Sequence, residues 1–492
     1  MSYLSSFPLL LDFTNIALFA ILSSGISSWI YLIIVALHSH FCTPAIKKKY
    51  ECDNNNNDKL ILPGNCSTSS TSNGRNSSTS SLQQQLLPPP FVSIIIPARN
   101  EQENIEKCLL SLISQNYPNF EIIAVDDNST DRTLSIMKSI ELTSCGRVQV
   151  VQLRDKPEGW TGKTWASQQG YLKSRGDILL FTDADTYYKS NDAIALAVIR
   201  MIQDKLDVLT GVPYLALPDT WSRIVMPVWN LYSEIFGRGI ADVNNPKCKA
   251  AFVMGSFFMI RRHVFEEIGT FDDVKHEIQE DKAIGIILKR NQYKMKIFKI
   301  DEIVSALWSR DLTTLWHGIR RTLAPMVIEN RSSAALLVQQ ALLFFFMIIL
   351  PFALLPYVII LSSVILNCDG LESFTQLQYL QSLDDYHQIS SITQFLAYPL
   401  SLLYINIFLC LLIMITTAVK GFSKYGLLPY YSIVSVIGAS FLIVAYAYSI
   451  IPFLMRHNTQ PISWRGRMHY YPQPDCSNKR QLQQPRDQLI RE

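Results

Sequence analysis

Three apolar runs in this chain end in the same way, and that repetition limits the fold more than any other feature. "VSIIIPARNE" closes on Pro97, Arg99, Asn100 and Glu101, "FEIIAVDDNSTD" on Asp126, Asp127 and Asp131, and "DILLFTDAD" on Asp183 and Asp185. Short runs rich in Ile, Leu and Val, bounded by polar residues, read as strands buried on both faces, as in a parallel sheet. Between them the pattern turns helix-like, over 104–114 and again from Asp131. Strands alternating with helices form crossover units, so residues 91–325 are expected to make one α/β domain around a parallel sheet. Ligands of such sheets bind beyond the carboxyl ends of the strands, which puts the three polar endings on one rim.

One acid after a strand commonly caps the next helix, as Asp131 in "STDRT" is placed to do. Several carboxylates gathered on one rim repel and need a compensating cation. Magnesium and manganese take oxygen ligands, using one or two carboxylates together with the phosphates of a substrate. A metal-bound diphosphate is therefore the implied partner.

Composition places part of the chain in a membrane: 48% of its 492 residues are hydrophobic, and mean hydropathy is +0.14. The net charge is only +3 with Lys and Arg spread along the chain, so no concentrated basic face points to nucleic acid. The nine cysteines form no C-x-x-C pair and imply neither a disulfide framework nor zinc.

Residues 1–46 hold a charge-free apolar stretch, 15–37, long enough to anchor in a bilayer. The basic cluster Lys47, Lys48 and Lys49 follows it, which sets the N-terminus outside and brings the chain into the cytosol. Residues 47–90 are a low-complexity linker of Asn, Ser, Gln and Pro. Residues 326–456 carry three more apolar stretches, 334–366, 392–419 and 427–454, followed by a polar tail, 457–492. Four spans would leave Arg456, Arg465 and Arg467 outside, against the charge rule, so one stretch is either a span or a re-entrant or interfacial element. The expectation is a multi-pass protein of the cell membrane with its α/β domain on the cytoplasmic side.

"VSIIIPARNEQENI", "IIAVDDNSTDRT", "FTDADT" and "QEDKAIG", in this order, resemble the family 2 glycosyltransferases, whose catalytic domain has the Rossmann-like nucleotide-diphospho-sugar transferase (GT-A) fold. "EGWTGKTWA" and "ISWRGRMHYY" are similar to membrane-bound members that glycosylate lipids, the hopanoid-associated and carotenoid glycosyltransferases. The resemblance implies a GT-A domain joined to transmembrane helices. It makes Pro97, Arg99, Asn100 and Glu101 the first nucleotide-contacting loop, and Asp126 and Asp127 the base and ribose contacts. Asp183 and Asp185 become the D-x-D metal pair, Asp183 also facing the donor, and Asp281 the general base with Glu280 beside it. A divalent cation, Mg or Mn, and a nucleotide-diphospho-sugar are the implied cofactor and donor.

"GWTGKT" is not a phosphate loop, because Pro157 stands where the first glycine is required. Lys163 is nevertheless a candidate donor-binding cation, against the alternative of a solvated loop lysine. Trp160 and Trp165 beside it either shape an acceptor mouth or pack in the core. Lipid-acting and processive relatives carry Q-x-x-R-W near the membrane. Here "WHGIRRTLAP" puts His317 at the Gln position and Arg321 at the Trp position and keeps only Arg320. His317, Arg320 and Arg321, with Glu280, are candidates for the acceptor or the diphosphate. Leu312, Leu315, Trp316, Ile319 and Leu323 recur at helical spacing, predicting an amphipathic helix on the membrane surface. Residues 221–236 repeat that period as either an interfacial or a core helix.

The expected activity is that of a metal-dependent, inverting hexosyltransferase acting on a membrane lipid hydroxyl. Its rivals are a polysaccharide synthase of the same family, which would want the missing Trp, and a non-catalytic nucleotide-sensing membrane protein.

Overall fold

The computed structural model describes residues 88–329 apart from 237, 238 and 249, then 42–47, 434–454, 462–464 and 467–469, with isolated positions between 20 and 38 and between 338 and 431. The chain opens with β1 (Val92–Ala98), α1 (Ile105–Ile113), β2 (Phe120–Asp127), α2 (Thr133–Thr143), β3 (Val148–Leu153), α3 (Gly162–Lys173) and β4 (Ile178–Phe181). It continues through β5 (Thr186–Tyr188), α4 (Ala193–Gln203), β6 (Val208–Val212), β7 (Tyr214–Ala216), α5 (Thr220–Phe236) and α6 (Gly239–Asn244). Then come β8 (Phe258–Arg261), α7 (Arg262–Glu267), α8 (Glu280–Arg290), β9 (Met295–Lys299), β10 (Val304–Leu307) and α9 (Leu312–Glu329). Helix α10 (Ser435–Leu454) and a hairpin of β11 (Ile462–Trp464) and β12 (Arg467–His469) close the described part.

Seven strands form one sheet in the order β3-β2-β1-β4-β8-β6-β9. The expected alternation is present, but the sheet is mixed: β8 runs antiparallel to both β4 and β6, while the other pairs are parallel. A four-residue strand, "FMIR", carries no direction in its side-chain pattern, and the long return from β7 delivers it reversed. Ile94, Ile95 and Ile96 of β1 are wholly buried. Each such side chain contributes about 1.5–3 kcal/mol on leaving water. That apolar layer is a rigid mount for whatever follows the strands. At the far edge Ala45 pairs with Lys299 in parallel, the Ile46 amide donating to the Lys299 carbonyl at 2.8 Å.

A second sheet, β5-β10-β7, lies where the rim residues leave β4. Its strand β5 begins one residue after Asp185, and the Leu307 amide of β10 donates to the Asp185 carbonyl at 3.1 Å. The end of β10 is thereby fixed beside the acidic pair.

Helices α5, α9 and α10 pack together through Val225, Met226, Val228 and Trp229, through Leu315, Ile319 and Leu323, and through Leu442, Ala445 and Tyr446. Of the apolar stripe expected to make α9 a membrane-surface helix, Leu315, Ile319 and Leu323 pack on neighbouring helices of the same chain, while Leu312 stays exposed. For 221–236 the described side chains follow the core-helix alternative, although Trp221 is exposed. Among the described residues no helix is long and apolar enough to cross a membrane. The stretches 15–37, 334–366 and 392–419 lie largely outside the described residues.

Candidate active site

The carboxyl ends of β1, β2 and β4 open on a cleft of 470 Å³, within the range of small-ligand sites. Pro97 and Arg99 line it after β1, Asp127 after β2, and Asp183 and Asp185 after β4. Because β8 is reversed, the residues that precede it, Met254, Gly255 and Ser256, reach the same cleft, as do Glu280 and Asp281 at the start of α8. The far wall comes from the end of β10 and from α9, with Trp308, Arg310, His317 and Arg321.

Lys163 ties the acids together. Its Nζ lies 2.8 Å from Asp183 Oδ1 and 2.9 Å from Glu280 Oε1. The lysine sits in the first turn of α3, whose start is capped by Thr161 and held by the Lys275 carbonyl, which accepts from Thr161 N at 2.8 Å and Thr164 Oγ1 at 2.9 Å. Gly255 leaves room for it, since a Cβ there would lie 2.6 Å from Lys163 Nζ. Burial draws the ammonium toward neutrality, but Asp183 and then Glu280 outweigh it and keep the charge in place. Lys163 is a paired cation inside the cleft and not a solvated loop lysine.

Asp281 is half-buried, and its Oδ1 accepts the Lys282 amide at 2.8 Å. Burial and then the negative charge of Glu280 push its carboxyl up to about 6, Lys163, the Lys282 amide and Arg321 offsetting only part of this. A carboxylate titrating there suits proton abstraction near neutral pH. Cys108, buried behind the acidic pair, is pushed up by burial and by Asp185 and Asp183, so its thiol is held protonated.

The loop after β1 serves more as frame than as contact surface. Arg99 Nη1 donates to the carbonyls of Asp127 at 2.5 Å and Asn128 at 2.9 Å. Asn100, in the left-handed region at φ 53°, accepts the Thr130 amide at 2.9 Å and donates its own to Ser129 Oγ at 3.1 Å. Asn is among the few residues that adopt this conformation readily. Asn100 thus stitches two rim loops together and is not part of the cleft lining. Asp126 is also outside it: the side chain is buried, Oδ2 accepting the Ser129 amide at 3.3 Å while Oδ1 has no partner among the described residues. Asp131 supports the start of α2 as expected, its Oδ1 accepting the Thr133 amide at 2.9 Å.

Arg320 does not reach the cleft. Its guanidinium carbon lies 4.7 Å from the centre of the Tyr448 ring on α10. Successive residues on a helix point about 100° apart, so Arg320 and Arg321 cannot share a face, whereas His317 and Arg321, four apart, do. Trp160 and Trp165 stack edge to face at 5.2 Å, with Trp160 against the core, so packing accounts for them.

Arg310 and Trp308 carry no local motif that announces a site. Arg310 Nη2 lies 2.6 Å from Glu101 Oε2 and Nη1 3.1 Å from Glu103 Oε2, joining the β10–α9 connection to the loop after β1. The available signal was "RDLTT", in which Asp311 Oδ1 accepts the Thr314 amide at 2.8 Å and so fixes where α9 begins.

Residues 93–269 match the family model described as Glycosyl transferase family 2. The probable glycosyltransferase YdaM of Bacillus subtilis is 28% identical over 210 residues, 42% of this chain and 48% of that protein. The 4,4'-diaponeurosporenoate glycosyltransferase of Staphylococcus aureus is 35% identical over 125 residues, 25% of this chain and 32% of that one. The chain thus spans about half or less of the length of these relatives. Among solved structures, a mannosyltransferase from Pyrobaculum calidifontis in complex with GDP-Man and Mn2+ aligns at a TM-score of 0.39 and 19% identity, over 68% of this chain and 87% of that one. The stretch that matches the family 2 model, residues 93–269, lies across the strands that build this rim.

Proposed function

We propose that the chain is an inverting, metal-dependent glycosyltransferase that moves a hexose from a nucleotide-diphospho-sugar to a hydroxyl of a membrane lipid. The observation that carries this reading is the cleft itself: Asp281, shifted toward neutral pH, shares it with Asp183 and Asp185, and Lys163 bridges the two groups through Glu280.

Asp183 and Asp185 offer hard oxygen donors, and among the described residues no three acidic, His or Cys groups cluster to hold a metal by themselves. Two carboxylates completed by the phosphates of a donor suit magnesium or manganese. When bound, the cation would supply neutralisation of the charge that develops on the departing diphosphate. Lys163 and Arg321 add fixed positive charge to the same cleft, and His317 adds a hydrogen-bonding group. Asp281 takes the proton from the acceptor hydroxyl, whose oxygen attacks the anomeric carbon as the bond to the diphosphate breaks. One displacement inverts the configuration. Asp127 and Arg99, which also line the cleft, are the groups left to hold the nucleoside.

The lipid acceptor and the place in the cell membrane, with the catalytic domain on the cytoplasmic side, rest on the apolar stretches and on the charge pattern of the flanks. The relative named for 4,4'-diaponeurosporenoate is consistent with such an acceptor. Membranes containing the full chain, incubated with radiolabelled UDP- and GDP-sugars and Mn2+ or Mg2+, should pass label into the organic-extractable fraction. Label in water-soluble polymer of high mass would overturn the lipid assignment.

A further inference from the structure

The walls of the cleft differ in character. Beside the acids, on the wall that also carries Arg310, His317 and Arg321, stand the uncharged residues Leu215, Met254, Ala306, Leu307 and Trp308. Leu215 and Trp308 belong to the cleft and also pack on the apolar cluster shared by α5, α9 and α10. The non-polar wall therefore continues without a break into the helical layer.

Trp308 is set on this boundary with little freedom. The buried Trp229 ring lies 6.2 Å away, centre to centre, at 31°. On another side is Gly318 of α9, where a Cβ would come within 3.2 Å of the indole ring. A rigid aromatic ring that adjoins the cleft on one side and a dry cluster on the other is a recognition surface for an amphiphile.

We infer that Trp308 is the acceptor-positioning residue, its indole carrying the apolar skeleton of an amphiphilic alcohol whose hydroxyl then points toward Asp281. The inference rests on the glycosyl transfer to a lipid hydroxyl proposed above and adds the residue that selects the acceptor. A hydroxyl borne on an apolar skeleton gains from the ring and from the dry wall behind it, whereas a free sugar gains from the ring alone. Gly318 is part of the device, because a methyl group there would crowd the indole at 3.2 Å.

The test uses the full chain in detergent micelles and, as acceptor probe, a chloroform–methanol lipid extract of the host membranes, with glucose as the soluble comparison. Nucleoside diphosphate release without acceptor reports donor turnover. Trp308→Ala should raise the half-saturating amount of extract about tenfold, the scale of one lost aromatic contact, and leave donor half-saturation within about twofold. Trp308→Phe should recover most of that loss, and Gly318→Ala should shift saturation by extract without shifting donor turnover. Unchanged saturation by extract in Trp308→Ala would overturn the role of Trp308 while leaving glycosyl transfer intact. Saturation by glucose in place of extract, or no response to extract, would overturn the acceptor class. Absence of nucleotide release from any donor with the wild-type protein would remove glycosyl transfer itself, and the role of Trp308 with it.

Discussion

Lys163 Nζ stands 2.8 Å from Asp183 Oδ1, so one acid of the D-x-D pair is already neutralised before any donor arrives. The same ammonium reaches Glu280, beside Asp281, the residue proposed as base. Removing it leaves two partly buried carboxylates facing each other. Lys163→Met is expected to cut kcat/KM by about tenfold to a hundredfold, the loss of one charge-assisted contact to a phosphate. It should also lower Tm by a few degrees, on the scale of about 1–3 kcal/mol for groups left unpaired. Steady-state rates against donor concentration and a thermal melt check both. Wild-type rates in Lys163→Met would show that the ammonium is only a structural tie.

Asp281 sets the expected pH dependence. A base whose carboxyl is pushed up to about 6 is protonated, and inactive, below that value. The kcat/KM profile should therefore rise through pH about 6 and flatten above it. The sign for stability is opposite. A carboxyl raised above its unfolded value binds its proton more tightly when folded, so keeping Asp281 ionised at neutral pH opposes folding. Asp281→Asn should lose transfer by about a hundredfold or more, remove that acidic limb, and melt no lower than wild type at pH 7.5. A variant that retained wild-type transfer would remove Asp281 from the base role.

Asp183→Ala and Asp185→Ala should each abolish cation-dependent binding of a nucleotide-diphospho-sugar, measured by calorimetry with and without Mn2+. Chelation of the wild-type protein should give the same result, because carboxylates and donor phosphates hold such an ion jointly. Equal donor affinity in the two conditions would argue that Lys163 and Arg321 alone neutralise the diphosphate.

The reach of the sequence can be judged from these residues. Acids at strand ends were legible because the apolar runs locate the strands and the sheet rule locates their ends. The reversal of β8 was not, since four residues between long connections carry no sign of direction, and yet that reversal brings Gly255 to Lys163. Nor did any spacing announce that Arg310 meets Glu101, a contact across 209 positions. Asn100 and Asp126 sat in the right motifs but turned to bracing the loops, which depends on backbone geometry and not on residue type.

The Arg310–Glu101 pair should act as a clasp between the two sides of the cleft. Glu101 is almost fully buried and also accepts from Asn104 Nδ2 at 3.0 Å, so its loss of Arg310 would leave a charged group short of a partner. Arg310→Ala and Glu101→Gln should each lower Tm and weaken donor binding. A double-mutant cycle should return a coupling of about 0.5–3 kcal/mol, the range for residues in one ion-pair network. Strict additivity would mean that the two loops are held together by other contacts.

Arg320 and Arg321 are neighbours with opposite expected phenotypes. Arg321 lines the cleft and acts on Asp281, so Arg321→Ala should weaken the donor and raise the pH at which the acidic limb appears, because one of the positive charges favouring ionisation is gone. Arg320 lies over the Tyr448 ring and away from the cleft, so Arg320→Ala should leave donor KM and the pH profile unchanged. Its effect should appear only as a lower melting temperature, since a cation–ring contact of this kind contributes about 0.5–1 kcal/mol or more as water is excluded. Matching kinetic losses in both variants would mean that α9 rotates on donor binding and that the face turned to the cleft is not fixed by its packing on α5 and α10.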